Sequence, residues 1–134
     1  MAQRKITNAQ WTLVFNTEIT RDDIGQELVI DVPPNFVLTG AAVAVRQAFN
    51  GTDASISIVD NKTSPTTIVA ATSLGAVANT TATTALYTEY PSGGKIRILP
   101  VVAGGAVTAG RADVFVQGII RGRQNERYGA NIAT

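Results

Sequence analysis

Alternation of apolar and polar residues at period two runs through nearly every segment, and it most constrains what this chain can fold into. Val, Ile and Thr dominate the runs, and Gly, Pro, Asn and Asp fall between them roughly every 8–15 positions. Trp11, Leu13 and Phe15 share one face of QWTLVFNT, and Leu28, Ile30 and Val32 share one face of QELVIDVP before Pro33 and Pro34 end that run. In the long stretch FVLTGAAVAVRQAFN, Ala41, Val43 and Val45 lie opposite Ala44 and Arg46. Asn50-Gly51 follows as a hairpin signal into Ala54, Ile56 and Ile58. Further runs occupy TTIVAATSL, TATTALYTEY, GKIRILPVV and RADVFVQGII. LGAVANTTATTAL admits a short helix or a loop with a helical turn, but its threonines and lack of charged residues favour loop or strand. VVAGGAVTAG reads as a flexible hairpin connection. The expected fold is all-β, an antiparallel two-layer sandwich of about eight strands. Its domain is expected over residues 11–120, with an N-terminal arm at 1–10 and a C-terminal arm at 121–134.

A chain of 134 residues suffices for one domain with a real core. It is 45% hydrophobic and only 16% charged, against about 25% charged in an ordinary soluble domain. Such a surface suits burial against another molecule. The net charge of +1 argues against a polyanion partner, so specific nucleic-acid binding is not expected. Neither cysteine nor histidine occurs. Disulfides, zinc sites built on those residues, and Ser-His-Asp or Cys-His catalysis are therefore excluded. The opening MAQRKITNAQ is polar and unlike a signal peptide. No run approaches 18 consecutive strongly apolar residues, so no membrane span is expected. Asn-x-Thr at Asn50, Asn61 and Asn79 reads as chance in a chain with no export signal.

The remaining chemical candidates are sparse. Asp22 and Asp23 are neighbours in a turn-like stretch, and Asp31 points outward, which suits solvated carboxylates better than the spaced pair of a glycosidase. Gly104, Gly105 and Gly110 fit no phosphate-binding loop, because no helix follows them. The chain is expected not to be an enzyme and to need no cofactor. Lys95 and Arg97 share the outer face of one strand, either as solvated or edge-protecting cations or as a contact for an acidic neighbour.

The last strand places Ala112, Val114, Val116, Gly118 and Ile120 on a core face. Its opposite face, Asp113, Phe115, Gln117, Ile119 and Arg121, ought to be polar yet carries Phe115 and Ile119. A subunit interface accounts for them, as does a covering loop or N-terminal segment. Beyond Ile120, RGRQNERYGANIAT has no periodic apolar face, and alone it buries too little to offset an ordering entropy of about 1–2 kcal/mol per residue. Arg121, Arg123, Arg127 and Tyr128 suit docking on a carboxylate-rich protein surface, and Arg4 and Lys5 form a second candidate arm.

VPPNFVLTGAAVAVRQAFNGTDASISI, the Thr/Ala/Val-rich middle and the ending TAGRADVFVQGIIRGRQNE together resemble tailed-bacteriophage capsid decoration (cement) proteins. The resemblance covers Pro33 to Glu126 and includes no catalytic signature. It implies a jelly-roll-like sandwich on the exterior of a capsid, made in the host cytoplasm. Such a protein would bridge subunits of the major capsid protein and act as a homo-oligomer, a trimer first and a dimer second. A tail-tube, fibre or other tail-associated module shares much of this texture and is the alternative reading. A carbohydrate-binding module would need an exposed aromatic platform, and the chain has only eight aromatic residues.

Overall fold

A computed structural model describes residues 2–4, 10–82 and 85–122. Nine strands form within these residues: β1 Leu13–Thr20, β2 Leu28–Val32, β3 Phe36–Gln47, β4 Ser55–Asp60, β5 Thr67–Ser73, β6 Asn79–Thr81, β7 Glu89–Tyr90, β8 Gly94–Val101 and β9 Arg111–Ile120. A single 3-10 turn at Arg21–Asp23 follows β1. The first sheet runs β1-β9-β3-β6 with β7 also paired to β3, and the second runs β2-β8-β4-β5. All pairings are antiparallel.

The pairings nest: β4 with β5, β3 with β6 and β7, β2 with β8, and β1 with β9. This is one long antiparallel ribbon folded over so that β9 also meets β3 and β8 also meets β4, the winding of a jelly roll. The expected two-layer sandwich is thus observed, with β6 and β7 as short additions to the edge of β3.

The core lies between the sheets. Phe36, Leu38, Ile56, Ile58, Ile96, Ile98, Val114 and Val116 are all buried there, and Phe15 and Tyr90 flank the Phe36 ring at centroid distances of 6.1 Å. In β3 the inward positions switch from Phe36 and Leu38 to Ala41, Val43 and Val45. The pairing with β9 shifts between Leu38 and Gly40, leaving Thr39 as the extra residue of a bulge. One inserted residue inverts the alternation, which keeps both halves of β3 facing the same core.

Three sequence readings are corrected. Asn50-Gly51 is not a hairpin, because β3 and β4 belong to different sheets and the segment carries the chain across between them. Gly51 has φ +102°, so the turn residue is needed, but for a crossover. VVAGGAVTAG likewise crosses from β8 in the second sheet to β9 in the first. The two crossovers brace each other. Asn50 Nδ2 donates to Thr108 Oγ1 at 2.8 Å, while Asn50 Oδ1 accepts from the Thr108 and Ala109 amides at 2.8 and 3.1 Å. Trp11, read as sharing the inward face of Leu13 and Phe15, is 80% exposed ahead of β1.

Candidate interaction surfaces

Two surfaces stand out; the first, the outer face of the first sheet, carries the expected contact residues Phe115 and Ile119. Pairing sets Asn16, Phe115, Ala42 and Thr81 in one row across β1, β9, β3 and β6. Phe115 is half-buried because small neighbours at Gly40, Ala42 and Ala44 leave its ring standing over a hollow of about 270 Å³, which Leu86 and Gln117 also line. Ile119 pairs with Val37 on the same face and is also half-buried. Ion pairs bound one end of this face: Arg46 with Asp113 at 2.8 Å and Arg111 with Glu18 at 3.2 Å. The result is a small-residue apolar patch with a charged border.

The second surface is the side of the sandwich where β1 and β2 end their sheets. Phe15, Leu28, Ile30 and Ile98 line a groove of about 520 Å³ between them. Val14 and Val29 at its rim are 50% and 46% exposed. No sequence signal marks this groove, because its apolar residues sit at ordinary inward positions. Only the sheet order leaves them without a neighbouring strand.

The cations divide differently. Lys95 Nζ lies 2.9 Å from Asp31 Oδ1 on the outer face of the second sheet. Arg97 Nη2 donates to the Asp60 carbonyl at 3.2 Å, and its Nε stands 3.8 Å from Glu27. Lys95 is thus paired at the surface, whereas Arg97 lies largely within the fold. Arg121 pairs with Glu89, and its amide donates to the Asn35 carbonyl at 2.8 Å, so the chain is still held to the sandwich one residue past β9. At the other terminus, Gln10 Nε2 donates to the Ile120 carbonyl at 2.8 Å and Gln10 Oε1 accepts the Ile120 amide at 2.9 Å. Arg4 is exposed. Lys5, Arg123, Arg127 and Tyr128 lie outside the described residues.

Of the candidate carboxylates, Asp23 has a structural role, while Asp22 is exposed and Asp31 pairs with Lys95 at the surface. Asp23 Oδ2 accepts the Thr20 amide at 2.8 Å, capping the 3-10 turn beside Asp22. A carboxylate that sequence reading passed over is the fully buried Asp60. Its Oδ2 accepts from the Tyr90 hydroxyl at 3.0 Å, and its Oδ1 accepts the Thr66 and Lys62 amides at 2.8 and 3.3 Å. Lys62 Nζ stands 4.6 Å from the Tyr90 ring centroid.

Burial first, and then the Asp60 hydrogen bond and charge, push the Tyr90 hydroxyl well above its ordinary value of 10.0. The folded state therefore holds the Tyr90 proton where the unfolded chain releases it. This contribution to stability is complete below about pH 10 and declines as pH rises from there through the folded value. Melting temperatures between pH 8 and 11 are expected to fall more steeply for the native chain than for Tyr90→Phe; parallel slopes would refute the linkage.

No family model matches the chain, and no curated protein matches it. Among solved structures, it is similar to a chain of the cyanophage Pam1 capsid asymmetric unit, with a TM-score of 0.64 and 15% identity over 90% of this chain and 91% of that one. It is also similar to a chain of the capsid of Ralstonia phage GP4, with a TM-score of 0.58 and 16% identity over 92% of each. At these identities the shared property is the fold.

Proposed function

We propose that this chain is a structural protein of a phage virion that binds the outer surface of the capsid and ties major capsid subunits together. Its role is architectural, not catalytic. The observation that carries the reading is the small-residue apolar patch around Phe115 on a charge-poor sandwich whose fold also occurs in chains of two phage capsids. A monomer in solution gains nothing from an apolar outer face, whereas a subunit covered by its neighbours does. The protein acts as a homo-oligomer, a trimer before a dimer, so that modest contacts are repeated around the assembly.

Arg123 and Arg127 add charge-assisted hydrogen bonds to capsid carboxylates, worth roughly 1.5–3 kcal/mol each where desolvated and far less at a wet rim. Arg121, at the root of the segment, joins them by exchanging its exposed pair with Glu89. The test is retention on capsids stripped of the protein, at two ionic strengths. Joint replacement of Arg123 and Arg127 by Ala is expected to lower occupancy severalfold and to flatten its salt dependence. Full retention by the variant would remove the arginines from the contact. Imaging of labelled protein at the tail instead of the shell would overturn the capsid placement in favour of a tail module.

A further inference from the structure

Asn50 is the only asparagine of the chain that is followed by glycine. Glycine lacks the side chain that would shield its own amide nitrogen, so that nitrogen can reach the carboxamide carbon one residue back. Gly51 is fixed in place by two constraints. Its φ is +102°, and a Cβ there would meet Val102 Cγ2 at 2.9 Å and Val107 Cγ2 at 3.0 Å. Its amide makes no hydrogen bond among the described residues, and Asn50 and Gly51 are both exposed. A nucleophilic nitrogen, an electrophilic carbon and water therefore meet at this crossover.

What restrains them is the contact with the second crossover. Asn50 Oδ1 accepts the Thr108 and Ala109 amides, and Asn50 Nδ2 donates to the Thr108 hydroxyl. Attack on Cγ needs the carboxamide to turn its face to the Gly51 nitrogen, and departure of Nδ2 breaks its bond to Thr108. The backbone on either side is held. The Phe49 amide donates to the Leu74 carbonyl at 2.8 Å, and the Thr52 amide to the Gly104 carbonyl at 2.8 Å. The side-chain latch between the crossovers thus decides how often the geometry of attack is reached.

We propose that Asn50-Gly51 is a self-modification site gated by this latch. The Gly51 nitrogen bonds to Asn50 Cγ and gives up its proton to solvent, and Nδ2 takes a proton from solvent and leaves as ammonia. Water then opens the five-membered imide at either carbonyl, leaving aspartate or isoaspartate at position 50. The two products differ in their effect on the fold. Aspartate keeps the latch, because a carboxylate still accepts the two amides and the Thr108 hydroxyl turns to donate. Isoaspartate adds its Cβ to the main chain between the held residues Phe49 and Thr52, where Gly51 already packs closely on Val102 and Val107. That product unseats the crossover.

The test uses purified full-length protein incubated at mildly alkaline pH, which favours loss of the Gly51 proton. Peptide mapping by mass spectrometry reads the exchange of NH2 for OH at each asparagine, and fragmentation separates isoaspartate from aspartate. In the folded native chain Asn50 is expected to convert ahead of Asn16, Asn61 and Asn79, yet more slowly than in the same chain unfolded in urea. Thr108→Val removes the acceptor of Nδ2 and is expected to speed conversion about three- to tenfold, the change in open population that one ordinary net hydrogen bond controls. Thr108→Ser keeps that acceptor and is expected to convert at the native rate. The isoaspartate fraction is expected to melt below the native chain, and Asn50→Asp to melt with it. Equal rates in the native chain and Thr108→Val overturn the gate. So does an equal acceleration in Tyr90→Phe, altered at the opposite end of β3, because global unfolding would then set the rate. An Asn50 that stays intact in folded Thr108→Val while the unfolded chain converts overturns the site. An isoaspartate fraction that melts with the native chain overturns the damage to the crossover.

Discussion

Replacement of Asp60 by Ala is expected to destabilise the fold by about 3–5 kcal/mol, because it strips the acceptor from the buried Tyr90 hydroxyl and from two part-buried amides of the β4–β5 connection at once. The Tyr90 hydroxyl and the Thr66 amide each lose their acceptor, and Lys62 loses a weaker one. The side chain is fully buried, so water cannot step in without opening the connection between β4 and β5. For a domain of this length the loss corresponds to a melting temperature lower by on the order of 10–20 °C. Asp60→Asn is expected to cost less than half as much, since an amide oxygen still accepts from the Thr66 side and its NH2 group can donate to the Tyr90 oxygen. Denaturant titration of the two variants checks this. Equal losses would mean that charge, not hydrogen bonding, carries the site; a loss below about 1 kcal/mol for Asp60→Ala, the size of one ordinary net hydrogen bond, would mean that the loop relaxes freely.

Gly118→Ala is expected to destabilise by about 3 kcal/mol or more, at the upper end of overpacking costs. A Cβ at this position meets the Val37 carbonyl oxygen and the Phe36 ring. The oxygen belongs to the backbone of β3, the strand paired with β9 here, so it cannot turn aside as a flexible side chain would. Phe36 is held between Phe15 and Tyr90. Relief therefore requires separating β9 from β3 at the centre of the first sheet. The checking measurement is the urea midpoint at constant m-value, compared with Gly25→Ala. Gly25 has open space around it but φ +85°, so its substitution reports backbone strain without a clash. If Gly118→Ala costs no more than Gly25→Ala, the close approach at β9 is not a constraint.

The strands and most of their inward faces were legible in the sequence because period-two patterning is a local property. Val114 and Val116, or Ile56 and Ile58, declare their side of the sheet through their immediate neighbours. The outward Phe115 and Ile119 were legible for the same reason, since they break the polar half of that alternation. Asp60 was not legible, because a carboxylate at the end of a strand looks like any turn residue until Tyr90, 30 positions away, is brought to it.

What the sequence by itself determined is therefore most of the strands, their two faces and the all-β class; TATTALYTEY, read as one run, holds only the last residue of β6 and the two of β7. Tertiary structure alone decided which strands are neighbours. Asn50-Gly51 has the composition of a hairpin turn, yet it serves a crossover because β3 pairs with β9 and β4 with β8. Leu28 and Ile30 have the pattern of core residues, yet they floor an open groove because β2 ends its sheet. Arg121 has the appearance of a free tail cation, yet Glu89 holds it. In each case the deciding partner is remote in sequence. Side-chain alternation states which way a residue points, and only the packed chain states what it meets there.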